Sequence, residues 1–341
     1  MSLILNEKYI GKQSSYKLFI TNRLLRLFPT YWIVLLLTII FSIITYQMRF
    51  YRNASFLITW IDNYKHLTFS SFFYLAFSNL FLFFQDIALF LGLDTKSGNL
   101  FLTSNFYSSN PNVFKFLLVP QAWSISLELI FYIMAPWLVK RSLWLIISLM
   151  ALSLLIRIAF IKVGMYHDPW NYRFFSAEIF FFLGGSLCYR IYNHIRAVDF
   201  LKGNLLILNR VILIILIAFT LSFFQLVKYF SLYRVEAVYF LIFFASVPFI
   251  FACTKRSKFD RMIGDLSYPV YLVHILCIGA VGLLHVYNIF VFNGIVITLS
   301  ILFSLIINKL ILVKIERYRQ NRLAAKREII NNKPQLFIPK Y

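Results

Sequence analysis

Long apolar stretches alternate along this chain with short polar ones that are rich in lysine and arginine. A helix needs roughly 20 apolar residues to cross the hydrocarbon core of a bilayer. The pattern therefore predicts eight transmembrane helices, at 27–46, 121–139, 142–160, 174–192, 211–228, 236–254, 266–286 and 289–312. The run 72–90 is a further candidate, but Gln85 and Asp86 interrupt it, and we predict a re-entrant helix or one lying flat on the membrane.

The composition agrees with this reading. Hydrophobic residues make up 60% of the 341 and charged residues only 14%, and the mean hydropathy is +0.75. A soluble globular chain is much more evenly balanced. We predict an all-α, polytopic transmembrane helix bundle, with one domain over 1–312 and a basic tail over 313–341.

The basic residues predict the orientation, because short cytoplasmic loops carry an excess of lysine and arginine. With eight spans, most of them fall on one side, in the segments 8–26, 140–141, 190–210, 255–261 and 314–340. Both termini are then cytoplasmic. The net charge is +21, and the basic residues lie at the span ends and form no stripe interleaved with exposed aromatics. We therefore expect anionic membrane lipid as a partner and not nucleic acid.

Motifs for metal and cofactor chemistry are missing from the sequence. Cys188, Cys253 and Cys277 show no CxxC spacing and no histidine cluster, and we interpret them as packing residues. No Gly-rich phosphate loop, GxSxG or HExxH motif occurs. We expect no metal and no bound cofactor.

The stretch "QAWSISLELIFYIMAPW" at 121–137 places a carboxylate, Glu128, well inside an apolar run. Ser124, Glu128 and Tyr132 are each four residues apart and share one helix face. A helix entered from outside near Ala122 carries Glu128 roughly 9 Å into the outer half of the membrane. An ionisable residue at this depth is by default a candidate functional residue.

Two further charges lie near the outer ends of predicted spans. Arg157 is near the end of 142–160, and Glu178 is a few residues into 174–192. Both are predicted at the level of Glu128. They form either a structural ion pair or part of a substrate site, and their positions favour neither.

The stretch "IGDLSYPVYLVH" at 263–274 carries a second polar face. Gly264 and Asp265 predict a helix start, and Ser267, Tyr271 and His274 follow at i, i+4 and i+7. His274 then lies on the order of 12 Å from the inner end. It is a candidate general base, and a packed histidine with an interhelical hydrogen bond is the alternative.

A pair of arginines precedes the first span, in "NRLLRLFPTYW" at 22–32. Arg23 and Arg26 lie three residues apart and share a helix face. They either anchor the helix at the cytoplasmic surface or clamp a phosphate or pyrophosphate through bidentate hydrogen bonds. Their spacing is compatible with both.

Four stretches in the same order resemble the integral-membrane acyltransferase-3 family, whose members O-acylate envelope glycans. "NRLLRLFPTYW" resembles its RxxR element, and "FFLGGSLCYR" is similar to its "F.LG" helix end. "AWSISLELIFYIMAP" resembles its "WSLSVE…FY…P" signature, and "GDLSYPVYLVH" resembles its "SYSLYLWH" element. Together the four motifs span almost the whole chain.

The resemblance implies a reaction and roles for residues. Family members pass an acyl group, usually acetyl from acetyl-CoA on the cytoplasmic side, to a hydroxyl of a glycan or lipid-linked saccharide outside, in the bacterial inner membrane. By analogy, Arg23 and Arg26 would bind the CoA phosphates and His274 would line the central cavity. Glu128 and its stripe would form the acceptor or transfer site, with substrate contacts from Trp123, Ser124, Tyr132, Arg157, Glu178, Ser267 and Tyr271.

The resemblance also implies a difference at the start of the chain. Family members begin with two more spans, ten in all, and the first of these carries an arginine and the histidine regarded as the catalytic base. "MSLILNEKYIGK" resembles the end of the second of these spans. We therefore expect a truncated chain, either a fragment of an active enzyme or an inactive one, unless His274 or a partner supplies the base.

A flippase or transporter of lipid-linked saccharides is the alternative function. It would also have many spans and buried charges. Many transporter folds carry an internal repeat, and this sequence shows none.

Overall fold

The computed structural model describes residues 16–139, 141–165, 168–198 and 203–331. Most of these residues are helical. The helices are α1 Tyr16–Gln47, α2 Ile58–Asn63, α3 Phe69–Phe81, α4 Trp123–Leu138, α5 Leu143–Lys162, α6 Phe175–Ala197, α7 Leu205–Tyr229, α8 Leu232–Thr254, α9 Lys258–Gly282, α10 Ile289–Ile307 and α11 Val313–Asn331.

Helices form at all eight predicted span positions, and the all-α, multi-span prediction is confirmed. Six of them are long and apolar enough to cross a membrane: α1, α5, α7, α8, α9 and the continuous helix Ile289–Arg322. The other two are α4, which has only 16 residues, and α6, which carries Glu178 and Arg190 among its apolar residues.

The run 72–90 does not form one continuous helix. Helix α3 starts after Thr68, whose side-chain oxygen accepts a hydrogen bond from the Ser71 amide. It ends after 13 residues, where Leu82 takes a left-handed conformation with φ +66°. This is shorter than the roughly 20 residues that a transmembrane helix needs, and the re-entrant or flat placement of this run stays a prediction.

The start predicted for α9 at Gly264 and Asp265 is wrong. The helix begins at Lys258, where the Ser257 hydroxyl accepts a hydrogen bond from the Asp260 amide and so satisfies a free N–H of the first turn. Glycine in a helix interior costs only about 1 kcal/mol, so Gly264 does not stop the helix. His274 consequently lies 16 residues after the first residue of α9.

The helical part of the predicted tail returns to α1. Arg322, in α11, donates one hydrogen bond to Asn22 Oδ1 at 3.1 Å and another to Thr21 Oγ1 at 2.9 Å. Both acceptors, Thr21 and Asn22, directly precede Arg23 in α1. Arg322 thus fixes this part of α11 against the helix that carries the arginine pair.

The segment between α1 and α4 has a small core of its own. A two-stranded antiparallel sheet pairs Leu91–Leu93 with Leu100–Leu102, and buried apolar side chains pack beside it, among them Leu75, Leu93, Val113 and Phe116. At the turn, Gly98 has φ +72°, and a Cβ there would lie 2.0 Å from the His66 carbonyl oxygen. Only glycine fits this position.

The chain divides into two compact units. The larger unit contains the described residues up to Ile133, those of Phe160–Phe174, and those from Asp265 onwards. The smaller unit contains Met134–Ala159 and the described part of Phe175–Gly264. Glu128, His274 and the arginine pair all belong to the larger unit.

Candidate functional site

Arg23 lies in the interior of the larger unit. Only 4% of its surface is exposed, although α1 is predicted to begin in the cytoplasm. Its guanidinium lies over two aromatic rings, 5.2 Å from the centroid of Tyr132 and 5.7 Å from that of Phe19. A cation over aromatic faces is held by the ring quadrupoles, more strongly when it is desolvated, so Arg23 has a fixed position.

Tyr132 connects this arginine to Glu128. Its hydroxyl donates a short hydrogen bond to Glu128 Oε1, as the four-residue spacing along α4 allows. The same ring is 3% exposed and lies edge-on to Phe19 at 5.7 Å between centroids. A single tyrosine therefore separates the predicted donor-side arginine from the predicted acceptor-side carboxylate.

Helix α9 contacts α1 beside this cluster. The Tyr268 hydroxyl donates to the Leu27 carbonyl oxygen at 2.8 Å. Asp265 Oδ1 lies 3.8 Å from an Arg26 nitrogen, and both side chains are partly exposed. This is a long, solvent-accessible ion pair, and it leaves the Arg26 guanidinium able to exchange Asp265 for another anion.

The first turn of α4 forms a second polar contact with α9. The Tyr271 hydroxyl donates to the Gln121 carbonyl oxygen and lies 2.7 Å from Ser124 Oγ. Since a tyrosine has one hydroxyl hydrogen, Ser124 is the donor to Tyr271. Gln121 in turn donates to the Leu272 carbonyl oxygen at 2.6 Å. Ser124 and Tyr271, which the sequence assigned to two separate polar faces, therefore lie in contact.

His274 faces its own helix with one ring nitrogen. Nδ1 is 2.7 Å from the Tyr271 carbonyl oxygen. A carbonyl can only accept, so Nδ1 carries the hydrogen and, in the neutral ring, Nε2 holds the lone pair. The ring is half-buried, and Nε2 is the atom through which it could act as a base. Ser267, seven residues earlier, is exposed.

Arg157 and Glu178 lie in the smaller unit and form an ion pair with each other. The distance from Arg157 Nη2 to Glu178 Oε1 is 3.1 Å, and the same nitrogen donates to the Ala177 carbonyl oxygen at 2.9 Å. The guanidinium also lies 5.3 Å from the Phe181 ring centroid. The ion pair that the sequence suggested is present, and a role in substrate binding stays a prediction.

The ion pair between Arg173 and Asp168 was not predicted. Arg173 donates from Nε to Asp168 Oδ1 at 2.6 Å and from Nη2 to Asp168 Oδ2 at 2.8 Å. Its guanidinium lies 4.3 Å from the Trp123 ring centroid and 5.4 Å from that of Tyr172. The signal in the sequence was the short stretch "DPWNYR", in which an acid and a base flank a proline and three aromatic or polar residues.

The residues that interrupt the run 72–90 also take part in buried polar contacts. Ser126 donates to Asp86 Oδ1 at 2.6 Å, and Gln85 donates to the Tyr31 hydroxyl at 3.0 Å. Burial raises the pKa of the Asp86 carboxyl above its usual value, while the Ser126 hydrogen bond opposes this shift. Their polarity was read only as an interruption, but it marks contacts to α4 and α1.

Among the described residues, no group of three histidine, cysteine, aspartate or glutamate side chains could hold a metal ion. The groups that meet are the Arg23 guanidinium, the Tyr132 phenol and the Glu128 carboxylate. Arg26 lies three residues after Arg23 in α1, and His274 lies in α9, three residues after Tyr271. Such a set can bind anions, orient a hydroxyl group and accept a proton.

These features define the class of the protein as a multi-span helical membrane protein with a polar, charged site among the helices of its larger unit. The chain belongs to the acyltransferase-3 family, because the family model, described as an acyltransferase domain, matches residues 3–309. It is therefore a membrane acyltransferase. A search of curated proteins and a search of solved structures each found no match to the chain.

Proposed function

We propose that the protein transfers an acyl group, acetyl above all, from acyl-CoA to a hydroxyl of an envelope polysaccharide or glycolipid at the bacterial inner membrane. The observation that carries this proposal is a series of side-chain contacts: the Tyr132 phenol contacts the buried Arg23 guanidinium on one side and the Glu128 carboxylate on the other. Membership of the family supports acyl transfer, and this chain of contacts supports a charged donor and a hydroxyl acceptor.

The reaction requires a nucleophile and a proton acceptor. The acceptor oxygen attacks the thioester carbonyl carbon, a C–O bond forms, and the C–S bond breaks. The hydroxyl proton passes to a base, and the departing CoA thiolate takes up a proton. Glu128 is our candidate for this base or for the group that orients the hydroxyl, and His274 Nε2 is the second candidate.

The arginines suit a CoA donor because its phosphates match their planar forks. Among the described residues the ion pair of Arg26 is the long contact to Asp265, and a phosphate could replace this carboxylate at little cost. Arg23 is fixed against Tyr132 and Phe19, which places a permanent positive charge against the tyrosine that hydrogen-bonds to Glu128. That charge would also stabilise the oxyanion formed when the thioester carbonyl is attacked.

The test is transfer of labelled acetate. The full chain in native membranes, or in nanodiscs, is incubated with labelled acetyl-CoA and envelope glycan from the strain that carries the gene. We expect label in the glycan as an alkali-labile ester. Glu128→Gln keeps an oxygen that accepts from Tyr132 but removes the charge, and we expect it to lower the rate by roughly 10²-fold or more.

Glu236→Gln is the matched control, because Glu236 lies in α8 of the smaller unit. Its rate should equal that of the unchanged protein. Translocation of glycan without ester formation would contradict the proposal and favour the flippase. Equal rates for Glu128→Gln and the unchanged protein would remove Glu128 from the reaction.

A further inference from the structure

Two loops of the larger unit enclose a cavity away from the cluster at Glu128. Its volume is about 420 Å³, within the range of small-molecule sites. The lining residues are Ser104, Asn105, Tyr107, Gly164, Met165, Asp168 and Trp170. In the predicted topology both loops lie opposite the basic loops, on the acceptor side.

Trp170 is held in a fixed orientation at this cavity. Its indole nitrogen donates to the Ser104 carbonyl oxygen at 2.9 Å, which joins the two loops. Its ring lies edge-on to Phe90 at 5.1 Å and against Phe160 at 5.4 Å between centroids. An aromatic wall fixed in this way is ready to stack without further ordering.

Tyr107 supplies a second aromatic group. Its side chain is 63% exposed, yet its ring packs on Phe106 at 4.1 Å and edge-on to Phe114 at 5.8 Å. The Tyr107 amide donates to Asn105 Oδ1 at 3.0 Å, which fixes the amide side chain. The Asn105 NH2 group makes no hydrogen bond to any residue that the structure describes, so it remains a donor for a ligand.

The charge at the cavity is a carboxylate. Asp168 lines it, whereas its partner Arg173 does not. Each Asp168 oxygen accepts one hydrogen bond from Arg173 and keeps further lone pairs for a hydroxyl donor. A phosphate would meet this carboxylate first, so the cavity disfavours CoA and other anions.

We propose that this cavity binds a neutral sugar residue of the acceptor, by stacking it on Trp170 and Tyr107 and bonding its hydroxyls to Asp168 and Asn105. A pyranose has C–H faces, which suit the negative faces of aromatic rings, and hydroxyls that both donate and accept. The proposal rests on the glycan acceptor under Proposed function and names where that glycan is held.

The link to the reaction site is the Asp168–Arg173 pair. Arg173 lies over Trp123, which is adjacent to Ser124 and its contact with Tyr271. A sugar bonded to Asp168 would thus contact the partner of Arg173, and Arg173 itself lies over Trp123 in the first turn of α4, the helix that carries Glu128. The cavity would hold the acceptor chain while another of its hydroxyls reaches the transfer site.

The test uses Tyr107→Ala and Asn105→Ala, which change exposed loop side chains. Tyr287→Ala is the matched control, because Tyr287 is 96% exposed in the same unit and does not line the cavity. With the full chain in nanodiscs, we expect both variants to raise the KM for the glycan at least ten-fold, with the KM for acetyl-CoA and kcat unchanged. The control should change none of the three.

A binding measurement separates this proposal from the transfer reaction. Saturation-transfer NMR with the methyl glycosides of glucose, galactose, rhamnose and N-acetylglucosamine should detect at least one in the unchanged protein. That signal should fall in both variants and persist in Tyr287→Ala. Such binding without any acetyl transfer would refute the proposed function but keep the cavity as a sugar site. No glycoside binding, or equal binding in the cavity variants, would overturn the cavity proposal even if acetyl transfer is observed.

Discussion

Helices α1 and α7 are nearly equal in hydropathy and differ in what surrounds them. Their most apolar windows have mean hydropathies of 2.3 and 2.5. Yet 39% of the window is buried in α1, in the larger unit, and only 6% in α7, in the smaller one. Hydropathy therefore identifies both as spans and does not tell which one borders a site.

The polar residues of the two helices do make that distinction. The buried residues of α1 include Asn22, Arg23, Thr30, Thr38, Ser42 and Thr45, whereas the only buried residue described in α7 is Asn209. A polar group that faces lipid without a partner costs several kcal/mol, so a span with many polar residues has to pack against protein. The apolar, exposed surface of α7 is what a lipid-facing helix requires.

The largest expected effect comes from replacing one arginine in each helix, which tests whether the buried polar residues of α1 matter for activity and the exposed ones of α7 do not. Arg23→Lys keeps the charge but loses the planar group that lies over Tyr132 and Phe19. We expect kcat/KM for acyl-CoA to fall between about ten-fold and a hundred-fold, the range for losing a charge-assisted contact. The measurement is the initial rate of acetyl transfer over a series of acetyl-CoA concentrations.

Arg210→Lys is the control in α7, where Arg210 is exposed. Its kinetics should match those of the unchanged protein. If both substitutions lower kcat/KM equally, burial of Arg23 has no special importance and positive-inside anchoring is a sufficient account of both arginines.

Much of the fold could be predicted from local pattern, and the errors occur where capping decides. Runs of about 20 apolar residues fixed the span positions, because a bilayer admits few alternatives. The start of α9 was misplaced since Gly264 and Asp265 looked like a cap, while the effective cap is Ser257. The extension of α1 back to Tyr16 depends on polar contacts such as Arg322 with Asn22, and no apolar run announces these.

The site was predictable only as far as helix geometry reaches. The contact between Tyr132 and Glu128 follows from their four-residue spacing. Arg23 over Tyr132 joins residues more than a hundred positions apart, and spacing carries no information about such pairs. Arg173 was missed because its partners, Asp168 and Trp123, lie in a short loop and at a helix start, where no periodic pattern exists.

Buried polar contacts should also make the larger unit sensitive to pH. Asp86 is 5% exposed, and its pKa is raised by burial. The folded protein therefore binds the proton more readily than the unfolded chain. The stability that this proton binding adds to the folded protein is complete below the ordinary aspartate pKa and is lost as the pH rises through the raised pKa of Asp86. Asp86→Asn should flatten this pH dependence of the unfolding midpoint.

Ser126→Ala tests the same contact from the other side. It removes the donor to the Asp86 carboxylate, and we expect a loss of about 1.5–3 kcal/mol of stability at neutral pH, with a smaller loss in acid. Thermal unfolding of the full chain in detergent at several pH values measures both variants. A uniform loss at every pH would mean that Asp86 keeps one protonation state over the whole range.

The smallest expected effect concerns helix packing in the smaller unit, whose α7 is largely exposed. A Cβ at Gly184 of α6 would lie 2.5 Å from the Phe244 ring of α8. That ring is stacked with Phe181 and edge-on to Phe180, so it cannot move without disturbing them. Gly184→Ala should therefore destabilise the protein by about 1–3 kcal/mol, seen as a lower thermal midpoint.

Gly294→Ala in α10 is the matched control, because apart from the nearby backbone of α10 and the neighbouring residues, no atom of the described residues lies within 4 Å of the Cβ it would add. Alanine there should stabilise the helix by roughly 0.5–1 kcal/mol. Opposite signs for the two substitutions would show that the smaller unit depends on one close approach between α6 and α8, much as the larger unit depends on its buried polar contacts. A raised midpoint for Gly184→Ala would mean that the Phe244 ring moves aside at little cost, and that close packing between α6 and α8 does not limit stability.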